Sequence, residues 1–301
     1  LYADIGGPAG IEATRLAIED FKARHPGTQI ELLSADGQNK PDVASAIARR
    51  WFEVENVDLI VDLPTSAIAL AVGKLAQEKN KVAIVTSAGS SDITGKHCNP
   101  NTLHWTWDTW SVSHGTASAV TQAGGKTWFF LTADYVFGHS LERDAGEVVK
   151  ENGGQVLGSV RHPLDTRDFS SYMLQAQTSK AQIIGLANGG GDTINSIKSA
   201  AEFGLVRSGQ KLAAMVVFIS DVHSLGLKDA QGLMLTTAFY WDRNDSSRRF
   251  AERMGRRNND RMPTMTQAGA YSATMKYLEA VAKVGSPKDG AAVVKAMQGF
   301  G

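Results

Sequence analysis

Cysteine is almost absent. Cys98 is the only one, so no intrachain disulfide can form, and the count does not separate an oxidising compartment from a reducing one. Net charge is absent as well: Lys plus Arg and Asp plus Glu both number 31. No basic field exists to neutralise a run of phosphates, and nucleic acid is not expected as a partner. Long hydrophobic runs are missing. The longest apolar stretch, Leu212 to Ile219, falls far short of the roughly 20 residues that span a bilayer, so no direct membrane insertion is expected. No basic stretch followed by an apolar segment opens the sequence, so an export signal is expected to have been removed or never present. The seven histidines are scattered, and neither His-x-x-x-His nor Cys-x-x-Cys occurs; a metal site and a cofactor are not expected.

What is present is an ordinary globular composition, 43% apolar and 21% charged over 301 residues, long enough for two lobes with separate cores. Helical and strand patterns alternate along the chain. Ile11, Thr14, Ala17, Ile18 and Phe21 recur at helical spacing, Pro26-Gly27 breaks that helix, and Gln29 to Leu33 reads as a strand. Pro41 opens a second helix carrying Ala44, Ile47, Ala48 and Trp51, followed by the near-continuous apolar strand Val57 to Leu63. Helix 67–79, strand 81–86, helix 112–123, strand 127–132 and helix 140–151 continue the winding. Strands 155–160, 181–187 and 212–219 alternate with helices 169–178 and 192–203. Strands that are apolar throughout, such as Leu59-Ile60-Val61 and Trp128-Phe129-Phe130-Leu131, are those covered by helices on both faces, so the sheets are expected to be parallel.

Two aromatic-rich segments, Thr102 to Trp110 and Leu233 to Asp242, interrupt the winding and read as crossovers between lobes. The expected organisation is an α/β fold of two Rossmann-like lobes. Residues 1–106 plus 237–301 form the first, residues 107–236 the second, and the ligand cleft lies between them. Ligands of open α/β sheets bind beyond the carboxyl ends of strands, where loops and helix N-termini offer free N–H groups. Two hydroxyl-rich loops occupy such places: Pro64-Thr65-Ser66 and Thr86-Ser87-Ala88-Gly89-Ser90-Ser91. One such hydroxyl usually caps a helix; two such loops at adjacent strand ends are less easily set aside as caps alone, and a carboxylate site is the other reading.

Catalytic machinery is not in evidence. Gly6-Gly7-Pro8-Ala9-Gly10 lacks the dinucleotide spacing and reads as a structural turn. Asp134, Asp192 and Asp221 follow strand ends without a partner set at catalytic spacing, and neither Ser66 nor Ser87 lies in a G-x-S-x-G elbow. Asp221 either meets a ligand cation or caps a helix. Trp105, Trp107, Trp110, Phe239, Tyr240 and Trp241 cluster at the crossovers, as hinge packing or ligand contact. Arg248, Arg249, Arg253, Arg256 and Arg257 read as a solvated helix face or a partner contact.

Leu1 to Phe21, Leu63 to Val72, Ala133 to Gly146, Phe218 to Leu227 and Met262 to Val281 resemble the leucine/isoleucine/valine-binding-protein family of periplasmic receptors, along essentially the whole chain. The resemblance implies two α/β lobes joined by a multi-strand hinge, type I periplasmic binding protein architecture, that close on a small solute and dock on the membrane permease of an ABC transporter. It implies that a ligand carboxylate is held by Ser66 and by Ser87, Ala88, Gly89 and Ser91, and that Tyr2 lines the side-chain pocket. From the second lobe it implies Tyr135 and Phe137, the latter where many members have Tyr, with Asn188 and Gly189 where amino-acid binders often place an aromatic. Asp221 lies near the acidic position that meets an α-amino group. Loss of the Phe137 hydroxyl and the aromatic crossovers favour an aromatic carboxylate, with a branched-chain amino acid next. The family also has a strand before Tyr2-Ala3-Asp4 and a tail beyond Gly301, so the first sheet is expected to lack a strand. A monomeric, periplasmic, non-enzymatic solute receptor is expected; the alternatives are a ligand-sensing domain of a regulator and an α/β enzyme.

Overall fold

The computed structural model describes residues 2–298; Leu1 and Gly301, which bound the matched segments, lie outside them. The chain begins with α1 (Gly7–Arg24), α2 (Pro41–Glu53), β1 (Leu59–Asp62), α3 (Ser66–Glu78), β2 (Val82–Val85) and β3 (Thr102–His104). The middle holds α4 (Thr109–Val112), α5 (Ser118–Gln122), β4 (Thr127–Ala133), α6 (Val136–Glu151), β5 (Gln155–His162) and α7 (Ser170–Thr178). It continues with β6 (Ile183–Ala187), α8 (Gly191–Glu202), β7 (Lys211–Ala214), α9 (Ile219–Leu225) and α10 (Leu227–Ala230). The chain ends in α11 (Asp245–Gly255), α12 (Met265–Val284) and α13 (Gly290–Met297).

These elements form two compact units. One contains Ala3–Trp107 and Phe239–Gly301; the other contains Asp108–Ala238 together with Tyr2. In the first, β1, β2 and β3 make a parallel sheet in that order, with Ile60 opposite Ala83 and Ile84 opposite Leu103. Alternate residues leave opposite faces. Ala83 and Val85 pack with Ala44, Phe52, Ile68 and Val72 of α2 and α3, whereas Val82 and Ile84 pack with Phe21, Ala273, Leu278 and Val293 of α1, α12 and α13. A strand flanked this way has no polar face, so β2 is buried throughout. The other unit has the parallel order β5-β4-β6-β7. Leu131, Ile184 and Leu186 pack there with Phe169, Met173 and Ile197, and β5, at the edge, alternates exposed with half-buried residues.

Four expectations change. Gln29 to Leu33 forms no strand and, among the described residues, joins no ladder; Ile30 and Leu32 are held by packing on the α1 side of the sheet, and the Ile30 carbonyl accepts from Lys22 Nζ at 3.2 Å. The segment Thr102 to Trp110 is not wholly a connection, because Thr102–His104 pairs with β2 as β3. Helix 112–123 is interrupted by a π turn over Ser113–Ala117, which re-aims side chains locally and lets Thr116 Oγ1 meet Thr236 Oγ1 at 2.9 Å. The strand expected at 212–219 ends at Ala214, where pairing with β6 ends, although Met215 to Phe218 remain buried.

The arginine run lies on α11 and just beyond its end and is largely paired. Arg257 reaches Glu19 at 2.6 Å and Arg253 reaches Asp20 at 2.6 Å, both acids on α1, while Arg256, at the C-terminal end of α11, pairs with Glu252 one turn earlier. Exposed pairs stabilise weakly because water screens them and two long side chains lose freedom. Arg257→Ala is therefore expected to lower unfolding stability by less than about 1 kcal/mol, a loss that shrinks further in high salt; urea titrations at two ionic strengths measure both.

Candidate functional site

In the first unit the loops after β1 and β2 lie side by side. Thr86 N and Ser87 N donate to the Asp62 carbonyl at 3.0 and 3.3 Å, and Ala88 N donates to the Leu63 carbonyl at 3.1 Å, which extends the strand pairing into the loops. Thr65 is the N-cap of α3, its hydroxyl accepting from Ile68 N at 3.3 Å. Ser66, fully buried, accepts from Ser90 N at 3.1 Å, an arrangement that leaves its own hydroxyl hydrogen for another acceptor. The Ser87 hydroxyl donates to Asp62 Oδ1, so its hydrogen is already committed. Ser90 accepts from Asp92 N at the start of a 3-10 turn beginning at Ser91.

Two residues beyond β2 brace this turn. His104 Nε2 lies 2.8 Å from the Ala88 carbonyl, so that nitrogen carries the hydrogen. Trp107 lies flat enough over Gly89 that a Cβ there would be 2.4 Å from the indole ring; only glycine allows that approach. Ser66, Ser87, Ala88, Gly89 and Ser91 thus belong to one pair of adjacent loops, while Asp62, His104 and Trp107 are the supports behind them. The other crossover aromatics have separate uses: Trp105 Nε1 donates to Ser272 at 2.9 Å, Trp110 is exposed and stacks on His114, and Phe239 packs edge-on against Phe250.

In the second unit the loops after β4 and β6 bring aromatics together. Tyr2 and Tyr135 share a hydroxyl hydrogen bond of 2.9 Å, and the Tyr135 and Phe137 rings are 5.8 Å apart. A Cβ on Gly189 would be 3.6 Å from the Phe137 ring and 4.0 Å from that of Tyr2, so these four positions are neighbours. Burial pushes both phenols well above their usual range, which keeps them neutral.

Asn188 is differently placed. It is fully buried, its Nδ2 donates to His162 Nε2 at 3.1 Å and to Ser196 Oγ at 3.0 Å, and its Oδ1 accepts from Thr193 at 2.7 Å. His162 Nδ1 faces the Pro163 carbonyl at 2.8 Å, so the hydrogen is on Nδ1 and Nε2 is the acceptor that Asn188 requires. Asn188 therefore orients its loop from inside. Asp221 Oδ2 accepts from Phe218 N at 2.9 Å at the start of α9, the capping contact that was one of its two expected roles. Asp192, buried in the first turn of α8, accepts from Thr166 N at 2.9 Å and Asp165 N at 3.3 Å. Burial pushes its carboxyl up to about 6 despite those bonds. Among the described residues no cluster of three or more His, Cys, Asp or Glu side chains could hold a metal ion, and no helix is long and apolar enough to cross a membrane.

Asp221→Ala is expected to cost about 1 kcal/mol of stability, measured by urea unfolding. Burial holds the His162 pKa below 6.5, so in the folded state it resists the proton that the unfolded chain accepts. Its contribution is intact above pH 6.5 and is lost as pH falls from there toward the folded value. Asp192, with its raised pKa, has the opposite sign, its contribution being lost as pH rises through about 6. Comparing melting midpoints of the wild type and His162→Gln between pH 5 and 8 separates them: the variant is expected to lose less stability on acidification.

The comparisons with known proteins agree with this geometry. The family model described as periplasmic binding protein matches residues 1–301. A solved periplasmic binding protein from Burkholderia mallei is 50% identical, with a TM-score of 0.94 and coverage of 98% of this chain and 78% of that one. A branched chain amino acid ABC transporter periplasmic ligand-binding protein from Burkholderia xenovorans is 40% identical, with a TM-score of 0.84 and coverage of 98% and 79%. At 23% identity, a likeness of fold alone, lies an ABC transporter solute binding protein from R. palustris solved with 4-hydroxybenzoate, with a TM-score of 0.86 and coverage of 98% and 82%. The two-lobed α/β chain belongs to the periplasmic binding protein family, whose members are solute-binding receptors.

Proposed function

We propose that the chain is the extracytoplasmic receptor of an ABC importer, capturing a small carboxylate by closure of its two lobes and delivering it to a membrane permease. The first unit supplies the carboxylate cradle, with the Ser66 hydroxyl, the backbone of Gly89 and the turn at Ser91, the N–H groups of Ser87 and Ala88 being held by the Asp62 and Leu63 carbonyls. The second supplies Tyr2, Tyr135, Phe137 and Gly189 as an aromatic wall. An aromatic acid is the favoured ligand and a branched-chain amino acid the next. The observation that carries the preference is the aromatic grouping of Tyr2, Tyr135 and Phe137 around Gly189, which suits a ring. Closure follows if the ligand contacts both lobes and so favours the closed state by its differential contacts.

Protein purified without added ligand, then denatured, is expected to release an aromatic carboxylate identifiable by mass spectrometry. Release of leucine or a related amino acid would retain the receptor and remove the ligand preference; a released nucleotide would remove the receptor reading. Protein that carries nothing is compared by thermal shift with benzoate, 4-hydroxybenzoate and L-leucine, and a larger midpoint increase with the aromatic acids is expected.

A further inference from the structure

One acid interrupts the apolar pattern at the end of β1. Asp62 follows Leu59, Ile60 and Val61 and is half-buried, with its carboxylate set against the start of α1. A Cβ on Gly6 would lie 2.8 Å from Asp62 Oδ2 and 2.9 Å from the Ser87 hydroxyl, so a glycine is needed there for the approach. Asp62 and the following Leu63 have φ of 90° and 60°, left-handed values that side-chain-bearing residues adopt at a cost. The carboxylate accepts the Ser87 hydroxyl and, at 3.3 Å, that of Thr86.

No cation pairs with Asp62 among the described residues. The start of α1 offers it Gly6 and Gly10, and the loop after β2 offers Thr86 and Ser87. The charged side chains nearby in sequence are engaged elsewhere, Asp4 with Arg261 and Glu12 with Arg15. Burial outweighs the two hydroxyls and raises the carboxyl above its usual range.

An ionised Asp62 opposes a carboxylate ligand in two ways. It sets a negative charge behind the turn, and it holds the Ser87 hydrogen away from the ligand. Both obstacles disappear when Asp62 takes a proton, because its new O–H donates to Ser87 Oγ and the Ser87 hydrogen is released toward the turn. We propose that Asp62 takes one proton from solvent as the carboxylate enters, so that the receptor binds its ligand as an anion plus a proton. This rests on the carboxylate cradle proposed above. One proton moves from water to Asp62, the Ser87 hydroxyl rotates, and no bond of the ligand changes.

The test is calorimetry with benzoate and, separately, L-leucine between pH 5.5 and 8.5, in buffers of different ionisation enthalpy. The ligand carboxylates stay ionised across that range. Kd is expected to rise by up to about tenfold per pH unit above the pKa of Asp62 in the free protein, with up to about one proton taken up per ligand. Asp62→Asn, whose amide donates to Ser87 in place of the proton, is expected to bind with a Kd independent of pH. Thr86→Val removes a donor to the ionised form and is expected to move the onset of the slope to higher pH, which serves as the test if Asp62→Asn does not fold. A flat Kd without proton uptake overturns the proposal and leaves the carboxylate reading standing. A Kd for L-leucine that falls as pH rises also overturns it, assigning Asp62 to the ligand ammonium instead. No binding of benzoate, 4-hydroxybenzoate or L-leucine at any pH overturns the carboxylate reading and the proton coupling with it.

Discussion

Burial of the central strands of each sheet on both faces is the constraint from which the rest of the molecule follows. Val82 to Val85 have no solvent-facing side, because α2 and α3 cover one face and α1, α12 and α13 the other. Polar chemistry is then displaced along the strand axes to the points where ladders end. In parallel βα winding the carboxyl ends of successive strands lie at the same edge of the sheet, so loops distant in sequence become neighbours there. The joining of the 62–66 and 86–91 loops by backbone bonds is the direct product of that geometry.

Within those loops the number of hydroxyls matters less than where each hydrogen goes. Thr65 and Ser66 both accept from backbone N–H groups and keep their own hydrogens, whereas Ser87 donates to Asp62. The same residue type in two adjacent loops thus has opposite capacities toward an anion, set by one acid at the end of β1. The supports follow a similar economy of atoms: His104 grips one carbonyl, and Trp107 covers a position where no side chain fits.

The second unit organises its strand-end loop with a buried network in which every direction is specified. His162 is held as the Nδ1–H tautomer by Pro163, which makes Nε2 an acceptor for Asn188, and Asn188 in turn meets Ser196 and Thr193. Buried polar networks of this kind are costly if any member is left unpaired and rigid when all are satisfied. The loop anchored in this way carries Gly189, which lies beside the rings of Phe137 and Tyr2.

Much of the fold was legible in the residues. Apolar runs such as Trp128 to Leu131 implied strands covered on both faces, and their alternation with helical periodicity implied parallel sheets, because these are properties of local pattern. Ser66 and the 86–91 turn were legible as strand-end loops for the same reason. What escaped depends on partners remote in the chain. Gln29 to Leu33 carries a strand pattern, but a ladder needs a neighbour; Thr102–His104 was hidden in an aromatic stretch and became a strand by pairing with β2. The contacts of Asn188 and Asp62 were likewise invisible, and the two readings of Asp221 could not be separated, since a side chain that caps, orients or faces a ligand is the same residue in sequence. The one local signal, an acid terminating the apolar run Leu59-Ile60-Val61, marks Asp62 but not its bond to Ser87. The sequence alone determined which segments wind as β and α and which loops carry hydroxyls, because hydrophobic periodicity is a short-range property. Tertiary structure alone decided which hydroxyl hydrogens are committed and which acids are paired, because a hydrogen bond is fixed by the atom that arrives opposite it, and that atom comes from elsewhere in the chain.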